Sequence, residues 1–95
     1  MYILAYGPDF WASYSKLCRR MGASEVDVDA VLKGVLWILK QNPQAGSRVP
    51  ETGLWLCKTR RIHRKNVQLP SLRVWYSVLG DVVTIQYIED FDLML

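Results

Sequence analysis

Histidine and cysteine are scarce in this sequence. Its 95 residues include one histidine and two cysteines, Cys18 and Cys57, which lie far apart along the chain. A structural zinc site needs more Cys and His ligands than this, so the sequence predicts neither a metal centre nor any other cofactor. Without a secretion signal, the two cysteines are expected to be reduced, buried thiols rather than a disulfide.

Long hydrophobic runs are missing too. No apolar stretch approaches the roughly 20 residues that a transmembrane helix needs, and the N-terminus lacks the basic and apolar segments of a signal peptide. The glycine loop GxxxxGK[ST] of nucleotide-hydrolysing enzymes and the GxSxG elbow of serine hydrolases are also absent. The sequence therefore predicts a cytoplasmic protein without a membrane partner and excludes both enzyme classes.

Acidic residues are absent from the segment Lys58–Arg73, which holds six Lys and Arg residues and His63. The wider segment Arg48–Arg73 contains seven basic residues and one acid, a charge of +6, whereas the whole chain carries +3. Concentrated positive charge predicts an anionic partner, and a nucleic-acid backbone is the leading candidate. The alternative is a solvated surface with no dedicated partner.

The rest of the chain predicts one α+β domain over residues 1–95, with its elements in the order βααβββ. Apolar residues recur with a period of 3.6 in two helices, one beginning at Asp9 and one ending at Asn42-Pro43. A strand over Tyr2–Tyr6 precedes these helices, and a loop over Gln44–Gly53 follows them. Three antiparallel strands complete the sheet, with a type II′ turn at Gly80-Asp81: Leu54 to about Arg60, Leu72–Leu79 and Val82–Ile88.

Hairpin geometry then predicts which side chains share a face of the sheet. If Leu79 lies opposite Val82, then Trp75 lies opposite Gln86, and Arg73 lies opposite Ile88. One face is apolar and should pack against the two helices. Its members are Leu72, Val74, Tyr76, Val78, Val83, Ile85 and Tyr87. The other face carries Arg73, Trp75, Ser77, Thr84 and Gln86. It can contact phosphate and stack a base, although Ser77, Thr84 and Gln86 also suit an ordinary solvated surface.

Two stretches of the chain, NPQAGSRVPETGLWLCKTR and LRVWYSVLGDVVTIQYI, resemble the RelE/ParE superfamily of type II toxins, particularly its RelE- and HigB-like members. The matching features are Pro43 and Gly46 after the second helix, Lys58 and Arg60 on the next strand, and the run Arg73-Val74-Trp75-Tyr76. The resemblance covers most of the chain. It implies a fold in which a strand and a helical hairpin combine with a three-stranded antiparallel unit.

The resemblance also implies one of two toxic activities. RelE- and HigB-like members are metal-independent endoribonucleases that cut mRNA on the ribosome and inhibit translation, whereas ParE-like members poison DNA gyrase. Both kinds are held inactive by a cognate antitoxin. Many RelE-like nucleases place a basic residue and a Tyr or His after the last strand, but residues 89–95, EDFDLML, contain none of these. This departure favours a toxin that binds its target without catalysis.

Metal-free RNA cleavage requires proton transfer and stabilisation of a charged phosphorane. Arg73 is the predicted phosphate clamp because a guanidinium can bind two phosphate oxygens. His63 is the predicted base or acid, and Lys58 and Arg60, two residues apart on a strand, are predicted to flank the scissile phosphate. Five further residues are predicted to bind nucleic acid more generally: Arg61, Arg64, Lys65, Trp75 and Gln86.

Trp37 marks a second predicted surface. It lies off the apolar stripe of the second helix, between Lys33 and Lys40, and is expected to be partly exposed. An exposed apolar surface rimmed by charge is typical of an interface, so the antitoxin, or a second copy of this chain, is expected here. Three hypotheses remain open: an endoribonuclease toxin, a non-catalytic toxin that binds gyrase or another protein, and a non-toxic nucleic-acid-binding or inhibitor protein of the same fold.

Overall fold

The computed structural model describes residues 2–21, 25–59, 62–64, 67–69 and 72–90. The first strand, β1 (Ile3–Tyr6), ends before Gly7-Pro8, where α1 (Phe10–Met21) follows. The second helix, α2 (Glu25–Gln41), ends at Asn42, whose side chain accepts a hydrogen bond from the Gln44 amide. This bond caps a 3₁₀ turn over Pro43–Ala45, so both predicted helices and the predicted end of α2 are confirmed.

Five strands form one mixed sheet. They are β1, β2 (Ser47–Val49), β3 (Leu54–Lys58), β6 (Leu72–Leu79) and β7 (Val82–Asp90), in the order β1-β7-β6-β3-β2. The edge strand β1 runs parallel to β7, and the other pairs are antiparallel. The predicted α+β class and the helical hairpin on one face of the sheet are confirmed, with β6 at the predicted bounds.

Three short strands were not predicted. Strand β2 lies inside the predicted loop and pairs with β3, with Arg48 opposite Trp55, so the loop prediction is wrong at these three residues. Strands β4 (Ile62–Arg64) and β5 (Val67–Leu69) form a separate hairpin. Runs this short contain too few residues for a period of two to be recognised, and pairing across the sheet decides them.

A register shift interrupts the β6–β7 ladder. Leu79 lies opposite Val82 and Tyr76 opposite Ile85, but beyond a β-bulge Trp75 lies opposite Tyr87 and Arg73 opposite Glu89. The predicted pairs Trp75–Gln86 and Arg73–Ile88 are therefore wrong, because Gln86 is an extra residue in β7.

The bulge exchanges the faces of the two residues that follow it. Ile88 is buried against the helices and only 2% exposed, and its amide donates a hydrogen bond to Ser13 Oγ on α1. Tyr87 is half-buried and stacks on Trp75 across the strands. The prediction that Tyr87 belongs to the helix-side core is wrong.

The core lies between the two helices and one face of the sheet. Tyr76 is fully buried there, as predicted. Its hydroxyl donates a hydrogen bond to the Pro43 carbonyl (2.6 Å) and accepts one from the Gly46 amide (3.1 Å). The remaining members of the core are Phe10, Leu17, Val28, Val31, Leu32, Val35, Leu39, Leu72, Val74, Val83, Ile85 and Ile88.

Candidate functional site

The face of the sheet turned away from the helices, here called the open face, presents two rows of side chains. The charged row crosses β3, β6 and β7 as Lys58, Arg73 and Glu89, which are register partners. The aromatic row follows two residues further along as Leu56, Trp75 and Tyr87. Register partners project from the same face of a sheet, so these six side chains form one surface.

Glu89 connects the two rows. Its Oε1 accepts a hydrogen bond from Trp75 Nε1 at 3.0 Å and lies 3.6 Å from Arg73 Nη1. The side chains of Arg73 and Glu89 are 31% and 41% exposed, and Lys58 is exposed. Both contacts use the same carboxylate oxygen, Oε1.

The aromatic row is a near-parallel stack. The ring centroids of Trp75 and Tyr87 lie 5.6 Å apart with an interplanar angle of 19°. Beside them, Gln86 Nε2 donates a hydrogen bond to Ser77 Oγ at 3.1 Å. Gln86 and Ser77 thus lie on the open face as predicted, and their side chains are hydrogen-bonded to each other.

Four of the nine predicted site residues are brought together on the open face: Lys58, Arg73, Trp75 and Gln86. His63 and Arg64 lie on β4, for which the structure describes the backbone alone. Arg60, Arg61 and Lys65 lie outside the described residues, so their predicted roles, including the placement of Arg60 beside Lys58, remain predictions.

Tyr87 and Glu89 were not among the predicted site residues. Strict alternation from Val82 assigns Tyr87 to the core, and Glu89 was assigned to an acidic tail because the last strand was predicted to end at Ile88, whereas β7 extends to Asp90. One signal was present: the buried isoleucines Ile85 and Ile88 are three residues apart instead of two, a spacing that indicates one extra residue in the strand.

Both cysteines pack against the hydrophobic core. Cys18 and Cys57 are free thiols, as predicted, but they are half-buried rather than fully buried. Burial raises the pKa of the Cys57 thiol, which favours the unreactive protonated form. Within the described ranges, no group of three or more His, Cys, Asp or Glu side chains is placed to hold a metal ion.

A second surface lies on the other side of the sheet. It is a groove of about 400 Å³ between β1, α1 and α2, here called the helix groove. Trp37 is 64% exposed and Trp11 60% exposed at its sides, which confirms the predicted exposure of Trp37. The groove is also lined by apolar residues and by two lysines. The apolar residues include Leu4, Leu32 and Leu36, and the lysines are Lys33 and Lys40.

No family model matches this sequence, and no curated protein matches it. Among solved structures, the chain is similar to the conserved hypothetical protein HP0894 from Helicobacter pylori, with a TM-score of 0.52 and 19% sequence identity over the whole of both chains. At this identity the similarity establishes the fold and carries no residue roles. In the described part of the chain, neither helix is long and apolar enough to cross a membrane.

Proposed function

We propose that this protein is the toxin of a type II toxin–antitoxin module of the RelE/ParE superfamily, and that it cleaves mRNA on the ribosome without a metal ion. The observation that carries the proposal is the charged row, in which two cations and a carboxylate lie side by side on an open sheet face. The α+β fold supports it, because its two helices and its sheet agree with the fold that the family resemblance implies. So does the contact between Tyr76 and both Pro43 and Gly46, which joins two features on which the family resemblance depends.

Arg73 and Lys58 are the phosphate-binding residues in this proposal. They are register partners on adjacent strands, so their charges can lie on two sides of one phosphate group. The guanidinium of Arg73 supplies directional hydrogen bonds and the ammonium of Lys58 supplies charge. Such a pair stabilises the extra negative charge that a phosphorane develops during cleavage.

Glu89 is the proposed general base. Trp75 and Arg73 hold one of its oxygens, which orients the carboxylate and leaves Oε2 to accept a proton. Glu89 takes the proton of the RNA 2′-hydroxyl, the 2′-oxygen attacks the adjacent phosphorus, and the bond to the 5′-oxygen breaks. His63 remains the candidate acid that protonates the 5′-oxygen, and the products are a 2′,3′-cyclic phosphate and a 5′-hydroxyl.

The experiment that tests this function is inducible expression of the wild type, Arg73→Ala and Glu89→Gln, with growth recorded and mRNA 5′ ends mapped. Growth arrest with new in-frame cuts is expected for the wild type and is expected to be lost in both variants. Arg48→Ala is the matched control, because it also removes an exposed arginine. Arg48 lies on the face opposite the charged row, since its register partner, Trp55, stacks on the buried Tyr76. Arrest without cuts would indicate a gyrase-type toxin, and no arrest would favour a non-toxic binding protein.

The helix groove is the proposed site for the antitoxin. Lys33 and Lys40 flank Trp37 on α2 and are about 10 Å apart along the helix axis. An antitoxin helix lying along α2 would complement them with two acidic residues seven positions apart, and with an apolar side chain against Trp37. Self-association of the isolated chain that is lost in Trp37→Ser would instead assign the groove to a second copy.

A further inference from the structure

We infer that Tyr87, backed by Trp75, forms a nucleobase-binding subsite that stacks one base of a single-stranded RNA beside the phosphate held by Arg73 and Lys58. The inference rests on the proposed function only in taking single-stranded RNA as the ligand. It adds the part of the substrate that the charged row does not contact.

Tyr87 lies at the outer end of the stack, toward the β1 edge of the sheet. On the far side of Trp75, strand β3 places Leu56 as its register partner. On the far side of Tyr87, strand β1 has already ended, since its last residue, Tyr6, pairs with Ile85. Beside Tyr87 the edge of β7 is instead followed by α1, whose Ser13 Oγ accepts the hydrogen bond from the Ile88 amide. Ile88 faces the helices and Tyr87 faces away from them, so on the open face a planar ligand can extend the stack from that side.

Both rings are held in place before any ligand binds. The hydrogen bond from Trp75 Nε1 to Glu89 fixes the rear ring. The bulge at Gln86 puts Tyr87 on the open face, and the bond from the Ile88 amide to Ser13 Oγ anchors the strand directly after it. A rigid aromatic surface loses little conformational entropy on binding, which suits it to stacking.

The distance between the two rows suits a single nucleotide. Arg73 and Trp75 are two residues apart on β6, about 6.6 Å along the strand, which is comparable to the separation of a phosphate from the base of the same nucleotide. Stacking on an aromatic ring accepts every base and grows with ring area. The subsite should therefore favour purines over pyrimidines.

The test measures binding of fluorescein-labelled, 2′-O-methyl tetranucleotides, which cannot be cleaved through the 2′-oxygen. Three probes are compared: tetra-adenylate, tetra-uridylate and the abasic tetramer with the same backbone. For the wild type we expect tetra-adenylate to bind about tenfold more tightly than the abasic tetramer, with tetra-uridylate between them. Tyr87→Leu should abolish this preference without changing the affinity for the abasic tetramer.

Two further variants separate stacking from folding and from phosphate binding. Tyr87→Phe keeps the ring and should keep the base preference, whereas Arg73→Ala should weaken all three probes by a similar factor. If the wild type bound the adenylate and abasic probes with equal, salt-dependent affinity, the base-binding subsite would be contradicted but the phosphate-binding site would not. Failure to bind any probe would overturn the proposed function as well, and a preference that survives in Tyr87→Leu would show that another residue stacks the base.

Discussion

At the scale of single residues, the Tyr76 hydroxyl joins the sheet to the turn that follows α2. It is fully buried and bonds to the carbonyl of Pro43 and the amide of Gly46. Both are main-chain groups that β6 itself cannot satisfy, and a buried group without a partner costs free energy. One side chain therefore determines where the segment after the 3₁₀ turn meets the sheet.

Tyr76→Phe should lower the free energy of unfolding by about 1–3 kcal/mol, because it leaves these two main-chain groups without their buried partner. Urea denaturation followed by circular dichroism measures the change. Tyr14→Phe is the matched control: its hydroxyl donates to Asp29 at an exposed position, so its loss should cost less than about 0.5 kcal/mol. Equal losses in the two variants would contradict the role assigned to Tyr76.

The same residue predicts a dependence of stability on alkaline pH. Burial raises the pKa of Tyr76 from 10.0 to about 12, so the unfolded chain loses this proton first as the pH rises. Its contribution to stability is complete below pH 10 and is lost between pH 10 and about 12, by up to about 3 kcal/mol. The difference in unfolding free energy between wild type and Tyr76→Phe should shrink over this range, and a constant difference would show that Tyr76 does not titrate there.

At the scale of elements, close contact between β2, β3 and β6 depends on Gly46. A Cβ atom at this position would lie 2.5 Å from Tyr76 Oη and 2.6 Å from the Leu56 carbonyl oxygen. Both atoms belong to the packed sheet and cannot withdraw easily. Glycine is therefore required where the chain enters β2.

Gly46→Ala should destabilise the protein by about 1–3 kcal/mol through this overlap. Gly34→Ala is the matched control, because Gly34 lies in α2 with no atom within 4 Å of the added Cβ. In an exposed helix position the same substitution should stabilise the protein by about 0.5–1 kcal/mol. Thermal unfolding of the two variants should move in opposite directions, and a shared direction would contradict this account of Gly46.

At the scale of the whole molecule, the sheet separates the open face from the helix groove. Arg73 and Glu89 lie on one side, and Trp37 lies on the other with α2. A helix that occupied the groove alone would leave the charged row uncovered. An antitoxin that blocks RNA binding directly must therefore extend around an edge of the sheet.

Substitutions on the two surfaces should act independently. Arg73→Ala should weaken RNA binding and reduce the slope of log K against log salt by about 0.7, the value for one phosphate contact to a single strand. Trp37→Ser should leave both quantities unchanged while it abolishes binding of a groove partner. Fluorescence anisotropy over a salt series measures both effects, and a changed salt slope in Trp37→Ser would show that the surfaces are coupled.

Local sequence patterns were sufficient to predict the helices, the strand β6 and most of the core, with Tyr87 and Ile88 as the exceptions. Apolar spacing and local stop signals encode these features within a few consecutive residues, as in the stripe of α2 that ends at Asn42. The same local information identified Arg73 and Lys58 as candidate site residues and Trp37 as an exposed aromatic.

Contacts between segments were needed to establish the short strand β2, the parallel pairing of β1 and the presence of Tyr87 and Glu89 on the open face. The pairing of β1 with β7 and the bond from the Ile88 amide to Ser13 Oγ each join segments that are distant in sequence, and β2 depends on its pairing with the neighbouring strand β3. One extra residue at Gln86 exchanged the faces of Tyr87 and Ile88, because side chains alternate with a period of two and a shift of one reverses them. Tyr87 and Glu89 reach the open face for this reason, and the neighbours that hold the bulge in place determine it.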